Sequence, residues 1–159
     1  MASISLRPIQ ADDADFLFAL YASTREEELA QVPWTAEQKH DFLKQQFYAQ
    51  HTWWQQEYAG SSFDIVRVDG ADAGRLYVHR SPSTIRIVDI ALLPQYRGQQ
   101  IGQALLEHVF AEADASGRLV SIHVEVFNRA RRLYERMGFV VVEDKGVYLM
   151  MERPAAART

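Results

Sequence analysis

Two hydrophobic periods divide the chain. Residues 3–6 alternate apolar and polar side chains and stop at Arg7-Pro8, where proline fixes its own dihedral and drives the preceding residue to extended backbone, so a first strand is predicted. Asp12 or Asp13 can cap the next segment, in which Phe16, Leu17, Leu20 and Tyr21 recur at helical spacing before the pattern fades over residues 23–28. Thr35 followed by Gln38 has the form of a capping box, and Phe42, Leu43, Phe47, Trp54 and Tyr58 continue a helical face, which predicts a long second helix. After Gly60-Ser61-Ser62 the period shortens. Residues 63–68, 75–79 and 85–92 are rich in β-branched and aromatic side chains and are separated by Asp69-Gly70 and Ser81-Pro82-Ser83, the pattern of an antiparallel meander. Ile101, Leu105, Val109 and Ala113 mark a helix over 99–115 that Gly117 can close. A strand over 120–126 follows, then a helix over 129–137 with Ala130, Leu133, Tyr134 and Met137 on one stripe. Strands over 139–142 and 147–151 flank Asp144-Lys145-Gly146.

This order of seven strands and four helices mixes antiparallel hairpins with parallel crossovers around one sheet, so the expected fold class is α+β, one domain over residues 1–153 with a flexible tail at 154–159. Composition agrees with that reading: 159 residues, 48% apolar and 24% charged, are enough for one core. The formal charge of -4 argues against a nucleic-acid partner. No run approaches the roughly 20 apolar residues of a membrane span, and residues 1–8 lack the blocks of a signal peptide, so a cytoplasmic location is expected. With no cysteine, disulfides, thiolate metal sites and Cys nucleophiles are excluded. His40, His51, His79, His108 and His123 show no ligand spacing and no G-x-S-x-G is present, so neither a metal nor a serine nucleophile is expected.

The candidate chemistry begins at Leu93-Pro-Gln-Tyr-Arg-Gly-Gln-Gln-Ile-Gly102, which joins a strand to an amphipathic helix. Backbone N–H groups at such a helix start have no internal partner and, with the helix dipole, can receive phosphate oxygens. Gly98 and Gly102 remove side chains from the approach, and Arg97 adds a permanent cation. Alone, the segment also reads as a tight turn with a solvated arginine. Further on, Asn128-Arg-Ala-Arg-Arg-Leu-Tyr-Glu-Arg-Met-Gly-Phe139 follows the next strand. With both motifs in order, the chain resembles the GNAT superfamily of acyl-CoA-dependent N-acetyltransferases.

The resemblance implies a splay between the fourth and fifth strands of a mixed sheet, with acetyl-CoA as co-substrate. Ile90, Ala91 and Leu92 would meet the pantetheine arm, and the Leu92 N–H would face the thioester oxyanion. Arg97, Gly98, Gln99, Gln100, Ile101, Gly102 and Gln103 would hold the pyrophosphate. Gln100 stands where the family carries the first glycine of R-x-x-G-x-G; in the first helical turn it is conformationally acceptable, and its side chain either crowds the phosphate or donates to it. Tyr134 corresponds to the acid that protonates the leaving thiolate, or else packs on the core stripe with Ala130 and Leu133. Asn128 contacts the cofactor or caps the helix, its separation of six from Tyr134 being one short of the common pattern. His123 stands where some members carry a basic glutamate, and Glu125 shares its face, so either one is the candidate base for the amine. Asp89 lies on the opposite face from Val88 and Ile90. Glu26, Glu27, Glu28 and Trp34 fall where the family builds acceptor selectivity; otherwise the three acids form a solvated surface and Trp34 packs the long helix onto the sheet. The arginines at 129, 131, 132 and 136 either reach the adenosine phosphate or form a solvated face. The implied activity is acetyl transfer to a small-molecule or peptide amine by direct attack in a ternary complex. The alternative is a non-catalytic acyl-CoA-binding or sensing module, and the resemblance allows a homodimer.

Overall fold

The computed structural model describes residues 2–156, in which seven strands and four helices follow the predicted order. β1 (Ile4–Pro8) leads through a 3-10 turn at Ala11–Asp13 into α1 (Ala14–Ala30) and α2 (Ala36–Glu57). β2 (Ser62–Val68), β3 (Ala71–Arg80) and β4 (Thr84–Leu92) form the meander, followed by α3 (Ile101–Ser116), β5 (Leu119–Glu125), α4 (Arg131–Arg136), β6 (Val140–Asp144) and β7 (Tyr148–Arg153). The strands make one sheet in the order β1-β2-β3-β4-β5-β7-β6, with β4 and β5 parallel. Their register runs from Thr84↔Leu119 to Ile87↔Ile122 and stops, which leaves Val88, Asp89 and Ile90 beyond it. This is the splay between the fourth and fifth strands. Among the described residues no helix is long and apolar enough to cross a membrane.

The chain divides into two compact units, one of residues up to 75 with 91–97, the other of 76–90 with residues from 98 onward. In the first, Leu17 and Tyr21 of α1, Phe47 of α2 and Ile65 of β2 form a buried cluster. α1 does not fade over 23–28 but runs to Ala30. There Leu29 is buried, Ser23 and Thr24 donate back to the carbonyls of Leu20 and Tyr21, and Arg25 pairs with Glu28, so packing outweighs the weak local pattern. Thr35 caps α2 as expected: its hydroxyl accepts from the Gln38 N–H at 3.1 Å, and Gln38 Oε1 accepts from the Thr35 N–H at 2.9 Å. Asp69 (φ 51) and Gly70 (φ 84) are both left-handed, the backbone of a two-residue type I′ turn, and so β3 already begins at Ala71. Arg7 donates to both oxygens of Asp13 at 2.8 and 2.9 Å and to Asp72 at 3.2 Å. Hydrogen bonding from Arg7, against the opposing effect of burial, holds the Asp13 carboxyl below the usual carboxylate range.

In the second unit Ile101, Leu105, Val109 and Ala113 are all buried along α3, and Gly117 closes the helix at φ 69. α4 begins at Arg131, later than predicted, because Asn128 Oδ1 accepts from the Ala130 N–H at 2.8 Å and holds 128–130 in an Asx turn. Arg153 lies over the Phe110 ring at 4.1 Å and donates to both oxygens of Asp114. Asp114 also accepts from the Ala156 N–H at 2.9 Å, so residues 154–156 of the expected flexible tail are tied to α3, while 157–159 lie outside the described residues.

Candidate functional site

In the first unit the end of β4 is set by β3. The Leu93 N–H donates to the Ala73 carbonyl at 2.8 Å, and a Cβ on Gly74 would lie 2.1 Å from the Ala91 carbonyl oxygen. Gly74 is therefore required by the closeness of the neighbouring backbone. It is a residue the hydrophobic pattern passes over, although an isolated glycine inside a strand is a signal of such an approach. With Ala91 and Leu93 turned to β3, strand alternation turns the N–H and C=O of Leu92 to the other edge. There the Arg97 Nε donates to the Leu92 carbonyl at 3.1 Å, which anchors the guanidinium and leaves its two terminal nitrogens as donors.

In the second unit Gly98 takes φ 73 with nothing within 4 Å of where its Cβ would be. Gln100 is not in the first helical turn. It precedes α3 with φ 65 and ψ 12, the left-handed region in which an L side chain is strained, and its side chain makes no capping bond. The glycine of the family pattern is thus replaced at a position whose backbone still has the conformation glycine favours. The Ala104 N–H donates to the Gln100 carbonyl at 3.1 Å, so the N–H groups of Ile101, Gly102 and Gln103 precede the first bond of the helix. Ile101 anchors this turn through its buried side chain, and the Gln103 amide donates to Glu107 at 3.2 Å. A Cβ on Gly102 would meet only Leu133 of α4, at 3.9 Å. Three open amides at the positive end of a 16-residue helix, beside positions without side chains, fit the oxygens of a diphosphate.

Tyr134 is 4% exposed, its ring edge-on to Phe139 at 5.8 Å, and Phe139 in turn packs on Phe110 of α3. Burial, and then the negative charge of Asp89, raise the phenol's pKa well above its ordinary value. It is protonated throughout the neutral range. His123 sits in a different setting. The Arg86 guanidinium is within hydrogen-bonding reach of both ring nitrogens, 2.8 Å from Nε2. Partial burial, then the charges of Arg86 and Lys145, lower the His123 pKa against the opposing charge of Glu143. The imidazole is therefore neutral at pH 7, with a lone pair directed to Arg86.

The parallel register aligns Arg86 with Ser121 and Ile87 with Ile122, so alternation puts Arg86, His123 and Glu125 on one face of the sheet and Asp89 with Ile122 and Val124 on the other. The charge of Asp89 thus bears on Tyr134, and Arg86 reaches His123. Asn128 spends its side-chain oxygen on the Ala130 N–H, leaving only its NH2 as a donor. Nearby, Arg131 pairs with Glu135 at 3.1 Å. Among the acceptor-side candidates, Glu28 pairs with Arg25, and Trp34 packs edge-on to Phe42 at 5.3 Å. Among the described residues no group of three or more His, Asp or Glu side chains could hold a metal ion.

The family model of the acetyltransferase (GNAT) domain matches residues 50–141. A Drosophila melanogaster relative named "Probable N-acetyltransferase san" is 31% identical over 93 residues, 57% of this chain and 50% of that protein, so the match spans half the length of that relative. A Bacillus subtilis (strain 168) relative, provisionally named a ribosomal protein bS18-alanine N-acetyltransferase, is 29% identical over 138 residues, 84% of this chain and 79% of its own. The crystal structure of PaiA N-acetyltransferase from Thermoplasma acidophilum in complex with coenzyme A has the same fold, with a TM-score of 0.71 at 18% identity over 96% of this chain and 99% of that one.

Proposed function

Because the chain belongs to the GNAT family of acetyltransferases, we propose that it transfers an acetyl group from acetyl-CoA to a primary amine by direct attack in a ternary complex. The observation that carries this reading is that the end of the β4–β5 register, the open amides of α3 and the buried Tyr134 occur together in one unit. Acetyl-CoA supplies, when bound, an acyl carbon activated as a thioester and a thiolate leaving group.

In this reading Arg97 and residues 98–103 grip the diphosphate, Ile90 and Ala91 line the pantetheine arm, and Asn128 donates to it through its NH2. The Leu92 N–H donates to the carbonyl oxygen as charge develops there, a preorganised donor of the kind that contributes most to such reactions. An amine with pKa near ~10.4 must lose a proton before it can attack, and His123 or Glu125 accepts it. His123, neutral at pH 7, suits the task only if Arg86 releases one ring nitrogen. Tyr134 donates to the departing sulfur. Its raised pKa keeps the proton in place between turnovers but makes it a weaker acid than a free phenol; the proton given to sulfur is replaced from solvent, and the amine's proton leaves through His123 or Glu125.

The provisional name of the Bacillus subtilis relative supports a peptide or protein amine as acceptor. The test is amine-dependent release of thiol from acetyl-CoA across a panel of alanine-initiated peptides, polyamines and amino acids. Release with at least one acceptor, with acetylated product by mass, supports the proposal. The Arg86 contact on His123 favours a second reading, a non-catalytic acyl-CoA-binding module, which predicts saturable coenzyme binding with no amine-dependent release.

A further inference from the structure

His51 and Gln55 stand one turn apart on α2 and line a cleft of about 280 Å³ between the start of α1 and the latter part of α2, all within the first unit. His51 Nδ1 and Gln55 Nε2 are buried there without a hydrogen-bond partner among the described residues. Buried nitrogens are costly to leave unpaired, so two on residues that line one cleft point to a ligand carrying acceptors. The His51 ring is held by stacking on Phe47, centroids 5.5 Å apart and planes 20° apart. Ile9, Ala11, Ala14 and Leu17 supply the apolar wall.

The sign of the ligand's charge follows from the surroundings. Burial, then the cation of Arg75, disfavours charge on His51, so the ring enters as a neutral imidazole in a positive potential and can offer one N–H. The start of α1 adds the positive end of its dipole; of the acids there, Asp13 is engaged by Arg7, and Asp12 and Asp15 do not line the cleft. Two donors, positive potential and an alkyl-lined wall select an anion with two acceptor oxygens and a short apolar tail. We propose that this cleft binds a short-chain aliphatic carboxylate, with one oxygen on His51 Nδ1 and the other on Gln55 Nε2. A carboxamide offers one acceptor and no charge, and is the discriminating control.

The test needs no acyl-CoA and is independent of the acyl-transfer reading. The ¹⁵N-labelled full chain is titrated with sodium butyrate at constant ionic strength and followed by ¹H–¹⁵N correlation spectra, with butyramide and sodium chloride as controls. Saturable shifts at residues 9–17 and 51–55 are expected with butyrate, with butyramide at least about tenfold weaker. His51→Phe, which keeps an aromatic ring on Phe47, and Gln55→Leu are each expected to weaken butyrate about tenfold. If a variant unfolds, butyrate against butyramide on the parent chain decides. No saturable shift, equal response to butyramide, or unchanged affinity in both folded variants overturns the proposal.

Discussion

Arg7 and Arg86 are both strand arginines that donate to a partner on another element, yet they serve opposite ends. Arg7 meets two carboxylates, Asp13 and Asp72, and Arg67 shares Asp72, so two cations face two carboxylates and charge is matched. Arg86 meets His123, a group it can bond only while that group is neutral. The first arrangement fixes the entry to α1. The second disfavours protonation of His123, the proposed base, next to the end of the β4–β5 register. Matched charge at Arg7 holds the chain together, and in the proposed mechanism the mismatch at Arg86 sets the reactivity of His123.

That contrast predicts a separation of rate from stability. The largest effect is expected from Tyr134→Phe, which lowers kcat on the order of 10²–10³-fold while coenzyme affinity and melting temperature stay near those of the parent. Steady-state kinetics and calorimetry on the same preparation check it, and equal turnover removes Tyr134 from the chemistry. Asp13→Asn works the other way: it costs about 2–4 kcal/mol by leaving Arg7 short of a partner, with kcat/KM per folded molecule unchanged. Because the folded-state pKa of Asp13 is depressed, its contribution is full above the unfolded value near ~3.9 and is lost as pH falls through the folded value. Denaturant curves of parent and variant therefore converge in acid, and a constant gap across pH would break the assignment.

A smaller effect separates Asp69 and Gln100, the two non-glycine residues with positive φ among the described residues. Asp69 is built into its turn, its carboxylate accepting from the Ser3 N–H at 2.8 Å, whereas Gln100 has no capping bond. Gln100→Gly is expected to stabilise by about 0.5–1 kcal/mol, and Asp69→Gly is not, which paired thermal melts can decide. The smallest change is a displacement in pH. If His123 is the base, the acidic limb of kcat lies below the ordinary histidine value, and Arg86→Gln moves it upward by removing the cation that disfavours imidazolium. A limb that does not move transfers the role to Glu125.

Much of the element order was legible because its signals are local. Thr35 with Gln38, Asp69-Gly70, and the stripe of Ile101, Leu105, Val109 and Ala113 each act within one turn or hairpin, and each has its expected consequence in the structure. What stayed hidden depends on distance along the chain. Leu29 extends α1 through burial, and Asp72 reaches Arg7 across 65 positions. The Arg86–His123 contact exists only once the β4–β5 register is known. The strain at Gln100 was masked because a glutamine is unremarkable in a helix; only the backbone shows that it stands just before one, in glycine's conformation.

The claim on which the rest depends is that the open start of α3 and the part of β4 beyond the β5 register receive coenzyme A. Isothermal titration calorimetry of the full chain with coenzyme A tests it directly. Saturable binding that Arg97→Ala weakens is the predicted result, and no detectable heat at millimolar coenzyme A would contradict the account.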